Sequence, residues 1–387
     1  MLCILTVHGI GFQQAPSADG KVRGYADNLQ DNLRRVLHDE LGDDPLRSEG
    51  PSGPVYVQSN WPPFEGTREE GLRRLGTWVD DDQTNLTSET ALAPGPSRFC
   101  HVALVYCGLE EAGWDPPTLA PMGALALPSA LRYASVGGMA NMVLQDIEGL
   151  LHHQPTKVSG SPSLRVRRDR PNDEPRVRPD QPAPAELVAS MPTSGVADVI
   201  KQVEDDVGAY IARDRLRQRA RGFVAEAISR LCTRDDIQAV VVNAHSNGTV
   251  IALDAIRLVS PNRAEKVRAF VTAGSPLRKY VRLFDWDTSV EQLPRTTRWL
   301  NFFDERDPVA DRLDPGGTWR RGDPVPDPVT EHLFEAVGWS GTVAPVAVTD
   351  IQVHNLEHSS GGGLQAHNYW DNTDEFVREL AKLLRVV

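Results

Sequence analysis

Apolar residues recur along this chain in two rhythms. Short runs rich in β-branched and aliphatic side chains, at 3–7, 55–57, 99–106, 237–242, 267–272, 299–303 and 346–353, each end in small or polar residues. Such runs predict strands covered on both faces. Between them the spacing lengthens: Tyr25, Leu29, Leu33, Leu37 and Leu41 fall four residues apart, on one face of a helix. Residues 249–259 and 374–384 read as helices in the same way. Thr193 or Ser194 can cap another, with Val199, Val203, Val207 and Ile211 on its apolar face, which continues with a bend through Leu231. Strands alternating with helices predict an α/β fold, a mostly parallel central sheet flanked by helices in a single domain over 1–387. Residues 108–195 interrupt this rhythm as an insertion. Their first part, 119–152, is apolar and helical in pattern. From 153 to 190 Pro, Arg, Asp and Ser dominate, a composition too polar to offset chain entropy and expected to form a flexible loop. Residues 80–90 are acidic and polar, expected as a solvated loop.

The sharpest chemical signal lies where the 237–242 strand ends. Ala244-His245-Ser246-Asn247-Gly248 separates it from the next helix, so the serine sits on a tight strand-to-helix turn that lifts its hydroxyl above the sheet. The flanking positions must be small because neighbouring chain passes close, and Ala244 and Gly248 meet that need. A helix N-terminus just beyond offers N–H groups where negative charge develops. Ser275, in Thr272-Ala273-Gly274-Ser275-Pro276-Leu277, is the rival nucleophile. It precedes proline and has no glycine two residues on, so it cannot form such a turn and reads as structural.

Three further segments stand at strand ends. His8-Gly9-Ile10-Gly11 follows the first strand, Asp304-Glu305-Arg306-Asp307-Pro308-Val309 follows the 299–303 strand, and Gln365-Ala366-His367-Asn368-Tyr369-Trp370 precedes the terminal helix. Taken together, V-H-G-I-G, A-H-S-N-G, D-P-V and H-x-Y-W resemble the α/β-hydrolase superfamily on its lipase and esterase side, and T-x-G-S-P is similar to a segment of lipase-like members. The resemblance spans the motif-bearing strands, about half of the chain. Residues 65–235 match nothing in it.

The resemblance implies a serine hydrolase acting on a carboxylic ester, with Ser246 as nucleophile and an acid and a histidine following in that chain order. Asp307, which proline biases toward an extended backbone, is the expected acid, with Asp304 as the alternative and Glu305 or Asp311 as surface charges. His367 is the expected base, with His358 and His354 as alternatives. Ile10 and Asn247 would supply the oxyanion N–H groups. His8, Gly9, Gly11, Ala244, His245 and Gly248 would support the elbow and loop. The apolar part of the insertion would form a lid or an acyl-binding wall, and Trp61-Pro62-Pro63-Phe64 a pocket rim. An amidase, peptidase or thioesterase would use the same groups, and a silent hydrolase fold could serve as a binding module.

Composition narrows the partners. Among 387 residues, 40% are hydrophobic and 24% charged, ample for a full core. The net charge of −12 argues against a nucleic-acid binder, which needs a basic face. It also disfavours docking on anionic lipid, while a hydrophobic lip could still touch a membrane. The expected partner is therefore a small-molecule or lipid ester; the oligomeric state is open. No cofactor or metal is called for, and Asp80-Asp81-Asp82 reads as a solvated cluster. Cys3, Cys100, Cys107 and Cys232 form no CxxC pair and read as free, mostly buried thiols of a reducing compartment, with one structural disulfide as the alternative. The first residues lack the pattern of a signal peptide, and no apolar stretch reaches the ~18–20 residues of a membrane span. A soluble, cytoplasmic protein is the expectation.

Overall fold

In the strand beginning at Leu2, successive side chains go to opposite sides of one sheet. Cys3, Leu5 and Val7 join one apolar cluster and Leu2 and Ile4 the other. That two-sided burial is why the strands read as unbroken apolar runs. The computed structural model describes residues 1–9, 15–17, 20–41, 53–58, 86–93, 98–106, 210, 214–284, 286–290, 293, 297–313, 333–337, 343–359 and 365–387. The expected insertion 108–195 and the rim segment 61–64 lie outside these residues.

Seven strands form one parallel sheet: β1 (Leu2–Val7), β2 (Val55–Gln58), β3 (Phe99–Val105), β4 (Ala239–His245), β5 (Val267–Ala273), β6 (Arg298–Phe303) and, last in the chain, β9 (Val348–Gln352). Their spatial order is β2-β3-β1-β4-β5-β6-β9. From β1 the chain goes to the sheet edge at β2, comes back to fill the place between them with β3, then pairs β4 with the other edge of β1 and builds outward from there. The reversal falls between β1 and β4. In open α/β sheets the crevice outside the carboxyl ends of the strands at such a reversal is where ligands bind.

Helices α1 (Asp27–Leu41) and α6 (Arg378–Val386) cover one face, through Leu29, Leu33, Val36 and Leu37 of the first and Leu380 and Leu384 of the second. On the other face lie α2 (Asp214–Thr233), with Phe223, Val224 and Ile228 inward, and α3 (Gly248–Ile256), buried along its whole length. The turn α4 (Pro261–Ala264) and helix α5 (Leu277–Phe284) complete this region. A small antiparallel ribbon, β7 (Glu335–Val337) with β8 (Val343–Pro345), is an addition that the apolar rhythm did not predict.

The terminal helix begins as a π-type turn at Thr373–Val377, capped by Asn372, whose side-chain oxygen accepts the Glu375 N–H at 3.0 Å. Cys3, Cys100 and Cys232 are buried free thiols. Leu86, inside the segment expected as a solvated loop, and Leu92, just beyond it, are buried in the core, so that part of the segment is not fully solvated. Among the described residues, no helix is long and apolar enough to cross a membrane.

Candidate active site

The β4–α3 turn is built by close approach. A Cβ on Gly248 would lie 2.6 Å from the His8 carbonyl carbon and 2.7 Å from the Val7 oxygen, so only glycine lets the start of α3 rest on the end of β1. Pairing of Val7 with Ala244 sets these two strand ends level. Ser246 then turns the chain in the left-handed region, at φ 56°, the only non-glycine among the described residues with positive φ. Such backbone costs about 1–3 kcal/mol and persists only where surroundings over-determine it. Here the Ser246 N–H donates to the Ala273 carbonyl at 2.9 Å, and the Ser246 carbonyl accepts the Thr249 hydroxyl at 2.8 Å and the Thr249 N–H at 3.0 Å. Asn247 heads α3, and its side-chain oxygen accepts the Tyr280 hydroxyl.

Asp307 and His367 meet beside this turn. Past β6, the Asp307 N–H donates to the Asp304 carbonyl at 3.0 Å, and its carboxylate Oδ1 accepts the Val309 N–H at 3.0 Å, closing a tight loop around Pro308. The other oxygen, Oδ2, lies 2.7 Å from His367 Nδ1 and accepts the Tyr369 hydroxyl at 2.9 Å. Burial works against ionisation of this fully enclosed carboxyl. The His367 charge, its hydrogen bond and the donors from Val309 and Tyr369 prevail and hold Asp307 below the usual carboxylate range. An ionised Asp307 fixes the proton on His367 Nδ1 and leaves Nε2 as the basic nitrogen. Among the described residues the Ser246 hydroxyl makes no hydrogen bond.

The other carboxylate at this corner has a structural task. Asp304 is buried, and burial raises its pKa even beside Arg306. It accepts the Asn355 N–H at 2.7 Å and the Arg306 N–H at 2.8 Å. Asn355 in turn donates to the Ala366 carbonyl at 2.6 Å, which pins the loop carrying His367. Asp311 is not the surface charge its sequence context allowed: it pairs with the buried Lys279 at 2.6 Å. Of the alternative bases, His354 pairs with Glu375 at 3.0 Å and His358 lies 3.7 Å from Asp374. Ser275 is fully buried and bonded to the Thr249 hydroxyl at 2.8 Å.

His8 and His245 meet beside the site, their rings tilted by 59°. His245 Nδ1 lies 2.9 Å from His8 Nε2, and His245 Nε2 lies 2.9 Å from the His367 carbonyl oxygen. Burial, and then the charge of His367, push His8 down to about 3; burial and both neighbouring histidines push His245 well below the ordinary range. Tyr106 donates its hydroxyl to the His8 carbonyl. Gly9 is buried next to it, and Ile10 and Gly11 lie outside the described residues.

Two residues at this site had no role assigned from sequence. Tyr369 bridges the acid loop, accepting the Asp304 N–H at 2.9 Å while donating to Asp307. Gly274 has φ +61°, and a Cβ there would lie 2.7 Å from His367 Cε1 and 2.9 Å from Nδ1. The sequence carried a signal for each, since Gly274 stands at a strand end and Tyr369 in the same short motif as His367. Among the described residues no group of His, Cys, Asp or Glu could hold a metal ion. No protein-family model, curated protein or solved structure matches the chain.

Proposed function

We propose that this chain is a serine hydrolase of the α/β-hydrolase fold that cleaves a carboxylic ester through an acyl-enzyme on Ser246. The observation that carries the reading is the 2.7 Å contact of Asp307 with His367 Nδ1, beside a serine held at φ 56°. Reversal of strand order between β1 and β4, with His8-Gly9 at one strand end and Ser246 at the other, supports it further.

In the first half-reaction His367 Nε2 takes the proton from Ser246 Oγ as the oxygen attacks the ester carbonyl. The N–H groups of Asn247 and Ile10 receive the negative oxygen, each such donor being worth on the order of 3 kcal/mol. Collapse of the tetrahedral species breaks the ester bond, and His367 returns the proton to the departing alcohol. Water, deprotonated by His367, then attacks the acyl group and releases the acid. The cycle balances with water alone.

A fluorophosphonate probe should label the folded protein at Ser246, and Ser246→Ala should abolish labelling. p-Nitrophenyl esters of rising chain length should turn over and rank the acyl groups accepted. Turnover of amides or thioesters with no ester cleaved would replace the ester assignment. No labelling and no turnover by folded protein would sink the reading.

A further inference from the structure

One imidazole joins three parts of the site. His245 is the residue before Ser246. Its ring reaches His8, at the end of β1, through Nδ1, and the main chain of His367 through Nε2, at 2.9 Å in both directions. A carbonyl oxygen can only accept, so the His245 proton resides on Nε2. Burial keeps the ring neutral, which leaves Nδ1 as an acceptor for the His8 Nε2–H. Ring contacts add to these bonds. The His245 ring lies 4.6 Å from the His367 ring centroid at 39°, 5.4 Å from Trp370 and 5.8 Å from Tyr369. The hydrogen bond ties the His367 backbone to the end of β4, and the tilted contact packs the two imidazoles against each other. Because His245 is bonded covalently to Ser246, both are fixed relative to the nucleophile.

We propose that His245 is a positioning residue for the base: its Nε2–H holds the His367 carbonyl so that His367 Nε2 faces Ser246, and His8 fixes the tautomer that makes this bond. This inference rests on the hydrolase reading for its kinetic consequence, though not for the bond itself. A residue that merely fills the core here could be replaced by any ring of similar size. A positioning donor could not, because the bond to a main-chain carbonyl needs an N–H at the place of Nε2.

Two variants separate these cases. His245→Phe keeps a ring and removes the donor, while His245→Gln restores an N–H near the same place. On an ester that the wild type cleaves, His245→Phe should lower kcat on the order of 10–100-fold with KM within about twofold, and His245→Gln should recover to within about threefold. Full kcat in His245→Phe would overturn the proposal. Equal loss in both variants would overturn it too, provided circular dichroism shows both folded. Long-range proton–nitrogen NMR spectra of histidine-labelled protein at neutral pH give a readout that needs no turnover. They should show His245 as the Nε2–H tautomer, and His367 ring signals that move in His245→Phe and return in His245→Gln. An Nδ1–H tautomer for His245, or unmoved His367 signals, would refute the bond. A wild type that does not react is a failure of the hydrolase reading, and the spectra then decide the His245 bond by themselves.

Discussion

At Ser246 the backbone is held where an L-residue is disfavoured, and the residues that hold it are not its sequence neighbours alone. Ala273 accepts its N–H, and Gly248 allows α3 to touch β1. The same closeness recurs at Gly274, where the space for a side chain is already taken by the His367 ring. Gly274→Ala should therefore displace the imidazole and lower kcat by more than about tenfold, and it adds roughly 1–2 kcal/mol of backbone strain at φ +61°. Ester kinetics with a urea melt would separate the two effects; an unchanged kcat would show that the ring can move aside harmlessly.

Asp307 and Tyr369 invite a paired comparison. Asp307→Asn removes the charge that fixes the His367 tautomer, and kcat should fall on the order of 10³–10⁴-fold with little change in KM. Tyr369→Phe leaves the 2.7 Å carboxylate–imidazole pair in place but strips a donor from Asp307 and an acceptor from the Asp304 N–H. It should cost about 1–3 kcal/mol of stability, read from a shift in the urea midpoint, and less than tenfold in kcat. The reverse ranking of the two variants in kcat would mean that Tyr369 and not Asp307 governs the histidine.

At the scale of elements, each side chain of the candidate site sits just past a strand or in a loop pinned to one. Pairing of Ala273 with Phe302 and of Phe303 with Gln352 brings the ends of β5, β6 and β9 level with β4. Asp304 then ties the β6 end to Asn355, and Asn355 to the His367 loop. The seven sheet strands and the helices at 27–41, 248–256 and 378–386 were legible in the sequence because their apolar rhythm is set by two-sided or one-sided burial. The helix Leu277–Phe284 and the β7–β8 ribbon were not. Neither carries a run long enough for periodicity to stand out, and both are selected by what they pack against. Of the 196–231 helix, the described residues show Tyr210 and the stretch from Asp214 onward.

For the whole molecule, buried neutral histidines make acid a threat. His8 and His101 are pushed down to about 3 by burial, and His245 well below its ordinary value. In the unfolded chain these groups bind protons below pH ~6.5, while the folded state refuses them until far lower pH. Stability should therefore be fully present above that pH and fall as the solution is acidified, by roughly 2 kcal/mol each for His8 and His101 between pH 6.5 and pH 5, with His245 acting in the same direction. His354, raised by its hydrogen bond to Glu375, works in the opposite sense, but it is half-exposed and contributes little. Urea melts across this range should show a falling midpoint, and a flat profile would mean that the histidines gain water or partners on protonation. Asp307, whose folded pKa is depressed, adds stability that is lost only when the pH falls through that lower value.

The sequence by itself determined the rhythm of strands and helices, and the place of Ser246 on a tight turn between a strand and a helix. These are local properties: burial periodicity and the steric needs of one turn are written in adjacent residues. It also put forward Asp307 and His367, 60 positions apart, without showing that they touch. Their contact, the choice of Asp304 as a strut, the bridging by Tyr369 and the space claimed at Gly274 were decided by the tertiary structure alone. Each depends on strand order and register, which fix distances between residues far apart in the chain. No periodicity records such distances, because the same local pattern is compatible with several ways of laying strands side by side.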